Sequence, residues 1–154
     1  MKEGDPLDNS MLVALNDSIS SQAVIDFLAD LPLRRDEMNV TLIHVFRKPS
    51  AVEDLMGQRF TSEQPSRFLK MLEQARDQLV ARGFQPEKIK IDFVDDPFPT
   101  VTDGIIDQFK KHKYDMVVIG RKNMSKAEEF VMGDISVKLV RALGESAILV
   151  VKTP

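Results

Sequence analysis

Apolar positions along this chain fall into two alternating patterns, short continuous runs and longer stretches with helical spacing. Met11-Leu12-Val13-Ala14-Leu15 is a two-sided apolar run that stops at Asn16-Asp17-Ser18, as expected of a buried parallel strand followed by a cap cluster and a helix. From Ser20 to Leu31, Ala23, Val24, Phe27, Leu28 and Leu31 recur at helical intervals, and Pro32 closes the segment. Val40 to Phe46 is a second β-branched strand run. Pro65-Ser66 opens a helix whose stripe is Phe68, Leu72, Ala75 and Leu79, and Gly83 ends it. Lys88 to Phe93 alternates polar and apolar and reads as a half-solvated strand. Asp95-Asp96-Pro97 is expected to start a third helix, with Val101, Ile105 and Phe109 on one face. Met116 to Ile119 is a strand run that stops at Gly120, and a fourth helix is expected from about Asp134, carrying Ile135, Leu139, Val140 and Leu143. Ala147 to Val151 is the last strand.

Five strands alternating with four helices imply an α/β fold, a doubly wound parallel sheet with helices on both faces. The expected organisation is a polar leader over residues 1–9 and one domain over 10–154. Ligands of such sheets bind beyond the carboxyl ends of the strands, at the point where the strand order reverses. Those ends carry Asn16-Asp17-Ser18, His44, Asp95-Asp96 and Gly120-Arg121-Lys122. The long connection from Arg47 to Gln64 exceeds ordinary loop length and reads as functional or mobile. The Lys88 strand is placed at one edge, where its charges discourage pairing. The last strand is apolar on both faces, so at the other edge it would favour pairing with a second copy through Ile148, Leu149, Val150 and Val151.

Composition narrows the function classes. Charged residues make up 29% of the chain and apolar ones 43%, and the net charge is -3. An acidic balance argues against non-specific binding to nucleic acid or anionic membrane. Cysteine is absent, which excludes disulfides, thiol catalysis and thiolate metal sites. No signal-peptide pattern and no membrane-length apolar run is visible, so a cytoplasmic protein is expected.

The candidate chemistry is sparse. Asp17, Asp95, Asp96 and Asp134 would hold a divalent cation if they converged, but each also precedes an expected helix, where an N-cap role suffices. His44 on the second strand is read as a hydrogen-bonded core histidine rather than a base. His112 lies in the basic end of a helix, Lys110-Lys111-His112-Lys113, where positive charge complements the macrodipole. Arg121, Lys122 and Lys126 are either an anion patch or a solvated loop. No catalytic Ser-His-Asp order, His-Glu-x-x-His or P-loop lysine is present, so no catalytic or metal-ligating residue is assigned.

The run Met11-Leu-Val-Ala-Leu-Asn-Asp-Ser, the strand Val40-Thr-Leu-Ile-His-Val, Asp96-Pro97, Asp115-Met-Val-Val-Ile-Gly, Gly133-Asp-Ile-Ser-Val-Lys-Leu-Val and the closing Ala147-Ile-Leu-Val-Val-Lys stand in the order and spacing of one family. Across nearly its whole length the chain resembles the universal stress protein family (UspA-like). The resemblance implies a five-stranded sheet of order 3-2-1-4-5, adenine nucleotide alpha hydrolase-like, and dimerisation through the last strand. Nucleotide-binding members carry Gly, two residues, Gly, nine residues, then Gly and Ser or Thr, with an acid at the end of the first strand. Here Gly120 and Gly133 keep the frame, Arg121 lies within it, Asn123 replaces the middle glycine, and Asp134 replaces the hydroxyl residue. Asn16 stands in place of the acid, and Asp17 where glycine is usual. A phosphate about 4 Å from the Asp134 carboxylate would be repelled by roughly 4 kcal/mol at an effective dielectric of about 20. The resemblance, with these departures, implies a non-catalytic, dimeric stress-response module with a degenerate nucleotide motif, no cofactor and an unidentified protein partner. The alternative it leaves is a regulatory module that binds ATP with Mg²⁺ at these residues.

Overall fold

A computed structural model of the chain describes residues 9–16, 18–47, 64–123, 125–127 and 135–153. Its elements are β1 (Ser10–Ala14), α1 (Ile19–Asp30), β2 (Asn39–Arg47), α2 (Gln64–Ala81), a 3₁₀ turn at Pro86–Lys88, β3 (Ile89–Phe98), α3 (Val101–His112), β4 (Met116–Lys122), α4 (Ile135–Ala142) and β5 (Ala147–Thr153). The strands form one sheet in the order β3-β2-β1-β4-β5, and every pairing is parallel. This is the doubly wound α/β arrangement expected from the alternating pattern.

The continuous apolar runs follow from having a core on both faces. Met11, Val13 and Leu42 pack beneath α1 and α2 with Val24, Leu28, Leu72 and Leu79. Their strand neighbours Leu12 and Ile43 face the other way, with Val117, Ile119, Ile105 of α3 and Leu139 of α4. Because successive residues point to opposite faces, the central strands β1 and β4 carry continuous apolar runs that fill both layers.

Local signals fix the ends of the helices. Ser18 caps α1, its hydroxyl accepting from the Ser21 amide. After α2, Gly83 adopts φ 106°, the Gly83 amide donates to the Val80 carbonyl and the Phe84 amide to the Leu79 carbonyl. These two bonds satisfy carbonyls that the helix end leaves unpaired, and the buried Phe84 anchors the turn.

The third helix begins later than the sequence suggests. Asp95, Asp96 and Pro97 lie within β3, which runs on to Phe98, so neither acid caps a helix. The cap is Thr100, which accepts from the Asp103 amide and donates to the Asp103 carboxylate. Pro97 is tolerated because β3 is an edge strand and its pairing with β2 is irregular there, the register shifting between Val45 and Arg47. Its buried face is Thr102, Ile105, Gln108 and Phe109, whereas Val101 is partly exposed. The Arg47 to Gln64 connection falls almost wholly outside the described residues. No helix among the described residues is long and apolar enough to cross a membrane.

Candidate functional site

The strand order reverses between β1 and β4. From β1 the chain winds outward through β2 to β3, and from β4 it winds the other way to β5. The carboxyl ends of these two strands are therefore where a ligand would sit. Asn16 stands at the end of β1, and Gly120, Arg121, Lys122 and Asn123 at the end of β4. Asp17, Gly133 and Asp134 lie outside the described residues.

The Asn16 side chain is turned inward to its own helix. Its Oδ1 accepts from the Ser18 amide at 2.9 Å and from the Ser21 hydroxyl at 2.9 Å. The Ser21 hydroxyl in turn accepts from the Asn16 amide at 2.8 Å. Both groups facing Oδ1 are donors, which fixes the orientation of the carboxamide. A carboxylate at this position would keep a second acceptor oxygen after capping the turn. Asparagine has one acceptor and has used it, so its remaining arm offers only N–H groups.

Gly120 proves to be a packing residue. It lies inside β4, paired with Val151, and the strand continues for two residues beyond it rather than stopping there. A Cβ at this position would sit 2.6 Å from the Ser20 carbonyl oxygen and 3.0 Å from a Val24 methyl. The first turn of α1 therefore rests directly on the β4 backbone, an approach that only glycine permits. The contact is reinforced where the Ser20 hydroxyl meets that of Thr153 at 3.1 Å. The Asn123 amide, just past β4, donates to the Thr153 carbonyl at 3.0 Å, extending the ladder with β5.

The basic residues do not gather on one face. Strand alternation sends Gly120 and Lys122 toward the α1 side and Arg121, like Val117 and Ile119, toward the α3–α4 side. Arg121 is half-buried, while Lys122, Asn123 and Lys126 are exposed.

His44, at the carboxyl half of β2, behaves as a core residue. It is buried, its Nδ1 lies 2.8 Å from the Leu15 carbonyl oxygen, and its ring stacks on Phe68 at 3.7 Å with Phe46 edge-on at 4.8 Å. Burial holds its pKa below the ordinary value of 6.5, partly opposed by the bond to Leu15. A neutral ring donating from Nδ1 fits this setting. Among the described residues no group of three His, Asp or Glu could hold a metal ion.

Ser18, the observed N-cap, falls in the cap cluster expected from the sequence, whereas the roles of Ser20 and Ser21 were missed. The signal was present as a serine-rich stretch directly after the strand-ending Asn16-Asp17, the composition of a helix start built from side-chain caps.

A family model described as "Universal stress protein family" matches residues 9–152. The chain belongs to the universal stress protein family. Its fold is similar to that of UspA from Lactobacillus plantarum, at 14% identity and TM-score 0.69, with 96% of this chain and 99% of that one covered. An Arabidopsis thaliana family protein with AMP bound aligns at 17% identity and TM-score 0.63, covering 97% and 93%. A universal stress protein in complex with cAMP aligns at 16% identity and TM-score 0.63, covering 92% and 94%. At these identities the likeness speaks for the fold alone. No match to the chain was found among curated proteins.

Proposed function

We propose that this universal stress family member is a non-catalytic, dimeric interaction module of the cytoplasm that does not bind ATP usefully. The observation that carries this reading is Asn16. The position where nucleotide-binding members place an acid holds a carboxamide whose only acceptor oxygen is spent on Ser18 and Ser21. A nucleoside amine or hydroxyl meets no free acceptor there. Asn123 and Asp134 weaken the phosphate end of the same frame, the first by side-chain bulk and the second by charge. Gly120 does not offset these losses, since its contact with Ser20 accounts for it without any phosphate.

Calorimetric titration of the protein with ATP and Mg²⁺ tests the reading directly. No saturable heat is expected, and binding in the low micromolar range would overturn it. The substitutions Asn16→Asp, Asn123→Gly and Asp134→Ser together are expected to raise ATP affinity by about two to three decades. A restored frame that stays silent would show that these residues are not the cause. A second reading, in which ATP or a related nucleotide binds with Mg²⁺ at Asn16, Asp17, Gly120, Arg121, Asn123, Gly133 and Asp134, draws on the AMP- and cAMP-bound neighbours. The same titration separates the two.

A further inference from the structure

At the amino ends of the strands, opposite the nucleotide frame, β2, β3 and the turn from α3 to β4 surround an open cavity of about 580 Å³. That volume lies within the range of small-molecule sites. Strand register decides which side chains reach it. Thr41 pairs with Leu12, and Asp92 with Ile43, so both share the α3–α4 face of the sheet with those core residues. Lys90, two residues before Asp92 and beside Thr41, lies on the same face. The turn after α3 brings His112, Lys113 and Tyr114 to the opposite wall.

Three kinds of group meet there. The first is cationic: Lys90 and Lys113 are exposed at the rim, while Lys88 also lines the cavity and donates to the Asp36 carbonyl at 3.1 Å. The second is acidic, the half-buried Asp92 with Glu87 farther out on the 3₁₀ turn. The third is a pair of hydroxyls on one aromatic ring, since the Tyr114 phenol shares a hydrogen bond with Thr41. Burial raises the pKa of that phenol, the bond to Thr41 opposes the rise, and the nearby Asp92 carboxylate adds to it. Two hydroxyls that share one bond keep one donor and several lone pairs for a guest. The Asp92 carboxylate only accepts, and the lysines only donate.

We infer that this cavity binds a small phosphorylated sugar. The phosphate meets Lys90 and Lys113 at the rim, and the sugar hydroxyls donate to Asp92 and bond to the Thr41–Tyr114 pair. The Tyr114 ring offers an apolar surface to the C–H face of the sugar. A bare phosphate would meet the Asp92 carboxylate along with the lysines, and a neutral sugar would bring them no anion. An amino-acid zwitterion satisfies both charges but brings no polyol to the two hydroxyls. The site lies at the other end of the strands from the nucleotide frame and does not depend on whether that frame is silent.

Tyr114 is the chain's one tyrosine and tryptophan is absent, so the tyrosine fluorescence of the intact protein comes from this cavity alone. The test follows that signal while the protein is titrated with glucose-6-phosphate, ribose-5-phosphate, glucose, inorganic phosphate and alanine. A saturable change with either sugar phosphate supports the site, and none with either up to about 10 mM overturns it. Glucose and inorganic phosphate are each expected to bind about tenfold or more weakly than the better sugar phosphate. Equal affinity for glucose would overturn the role of the lysines, and equal affinity for inorganic phosphate that of Asp92 and the hydroxyl pair. Alanine binding as tightly would assign the mixed charges to a zwitterion and overturn the sugar. Lys90→Glu should weaken sugar phosphate binding about tenfold or more, whereas Lys90→Arg should retain it. Unchanged affinity in Lys90→Glu would overturn the placement of the phosphate. Lys90 is exposed on an edge strand, so these variants leave the core intact, and the comparison of probes needs no variant at all.

Discussion

At the scale of single residues, the site turns on what asparagine lacks and on what a buried histidine keeps out. Asn16 caps the turn with its single acceptor oxygen and lacks the second one that a carboxylate would have, a distinction that no spacing rule displays. Its identity was legible in the sequence, but its hydrogen-bond partners were not, because they depend on how the Ser18–Ser21 turn closes. His44 was legible as a core residue because it interrupts an apolar strand. The structure adds the reason it titrates unusually, which is enclosure by Phe46, Phe68 and Phe93. The folded protein favours the neutral ring, whereas the unfolded chain takes up a proton near pH 6.5. The contribution of His44 to stability is therefore complete above that pH and is lost as pH falls below it. Urea midpoints are expected to drop between pH 7 and pH 5 in the wild type. In His44→Phe that drop should be shallower, and parallel curves would refute this account.

At the scale of elements, most helices and strands could be read from periodicity alone, and the failures share one cause. Asp95-Asp96-Pro97 carries every local mark of a helix start, yet β2 continues alongside and holds the segment in the sheet to Phe98. Gly120 carries every mark of a strand end, yet β5 pairs with β4 as far as Lys122. In both places a neighbouring strand overrode the local signal, and a neighbour is not visible within a short window of sequence. The contact between β4 and α1 is the element-scale feature with a measurable consequence. Gly120→Ala would press a methyl onto the Ser20 carbonyl, whose backbone has no rotamer with which to yield. Overpacking of this kind costs about 1–3 kcal/mol, and equilibrium denaturation should register it. A neutral substitution would show that the first turn of α1 moves freely over the sheet. That result would return Gly120 to a purely ligand-facing role.

At the scale of the whole molecule, the two edges of the sheet are built differently. The β3 edge carries Lys90 and Asp92, with Lys88 in the turn just before it, and ends in an irregular pairing with Pro97 in the strand, features that discourage a further strand. The β5 edge has no proline and an unbroken pairing with β4, and its one charged residue, Lys152, stands near its end. It is paired on one side only, by β4, and Ile148, Leu149 and Val150 are each only partly buried between α1 and α4. Leu149 faces the α1–α2 core and Ile148 and Val150 the α3–α4 core, so the edge is apolar on both faces at once. Nearby on α4, Val137 and Val140 are 44% and 64% exposed. A second copy approaching along a two-fold axis would pair β5 with β5 and cover these side chains symmetrically. Leu149→Asp or Val150→Asp would then place two like charges near each other across the axis while desolvating both. Each variant is expected to elute from a sizing column at the monomer position, with the wild type at twice that mass. Leu149 also packs against the core, so Val150→Lys and a thermal melt separate lost association from lost folding. A folded variant that still elutes as a dimer would place the interface elsewhere.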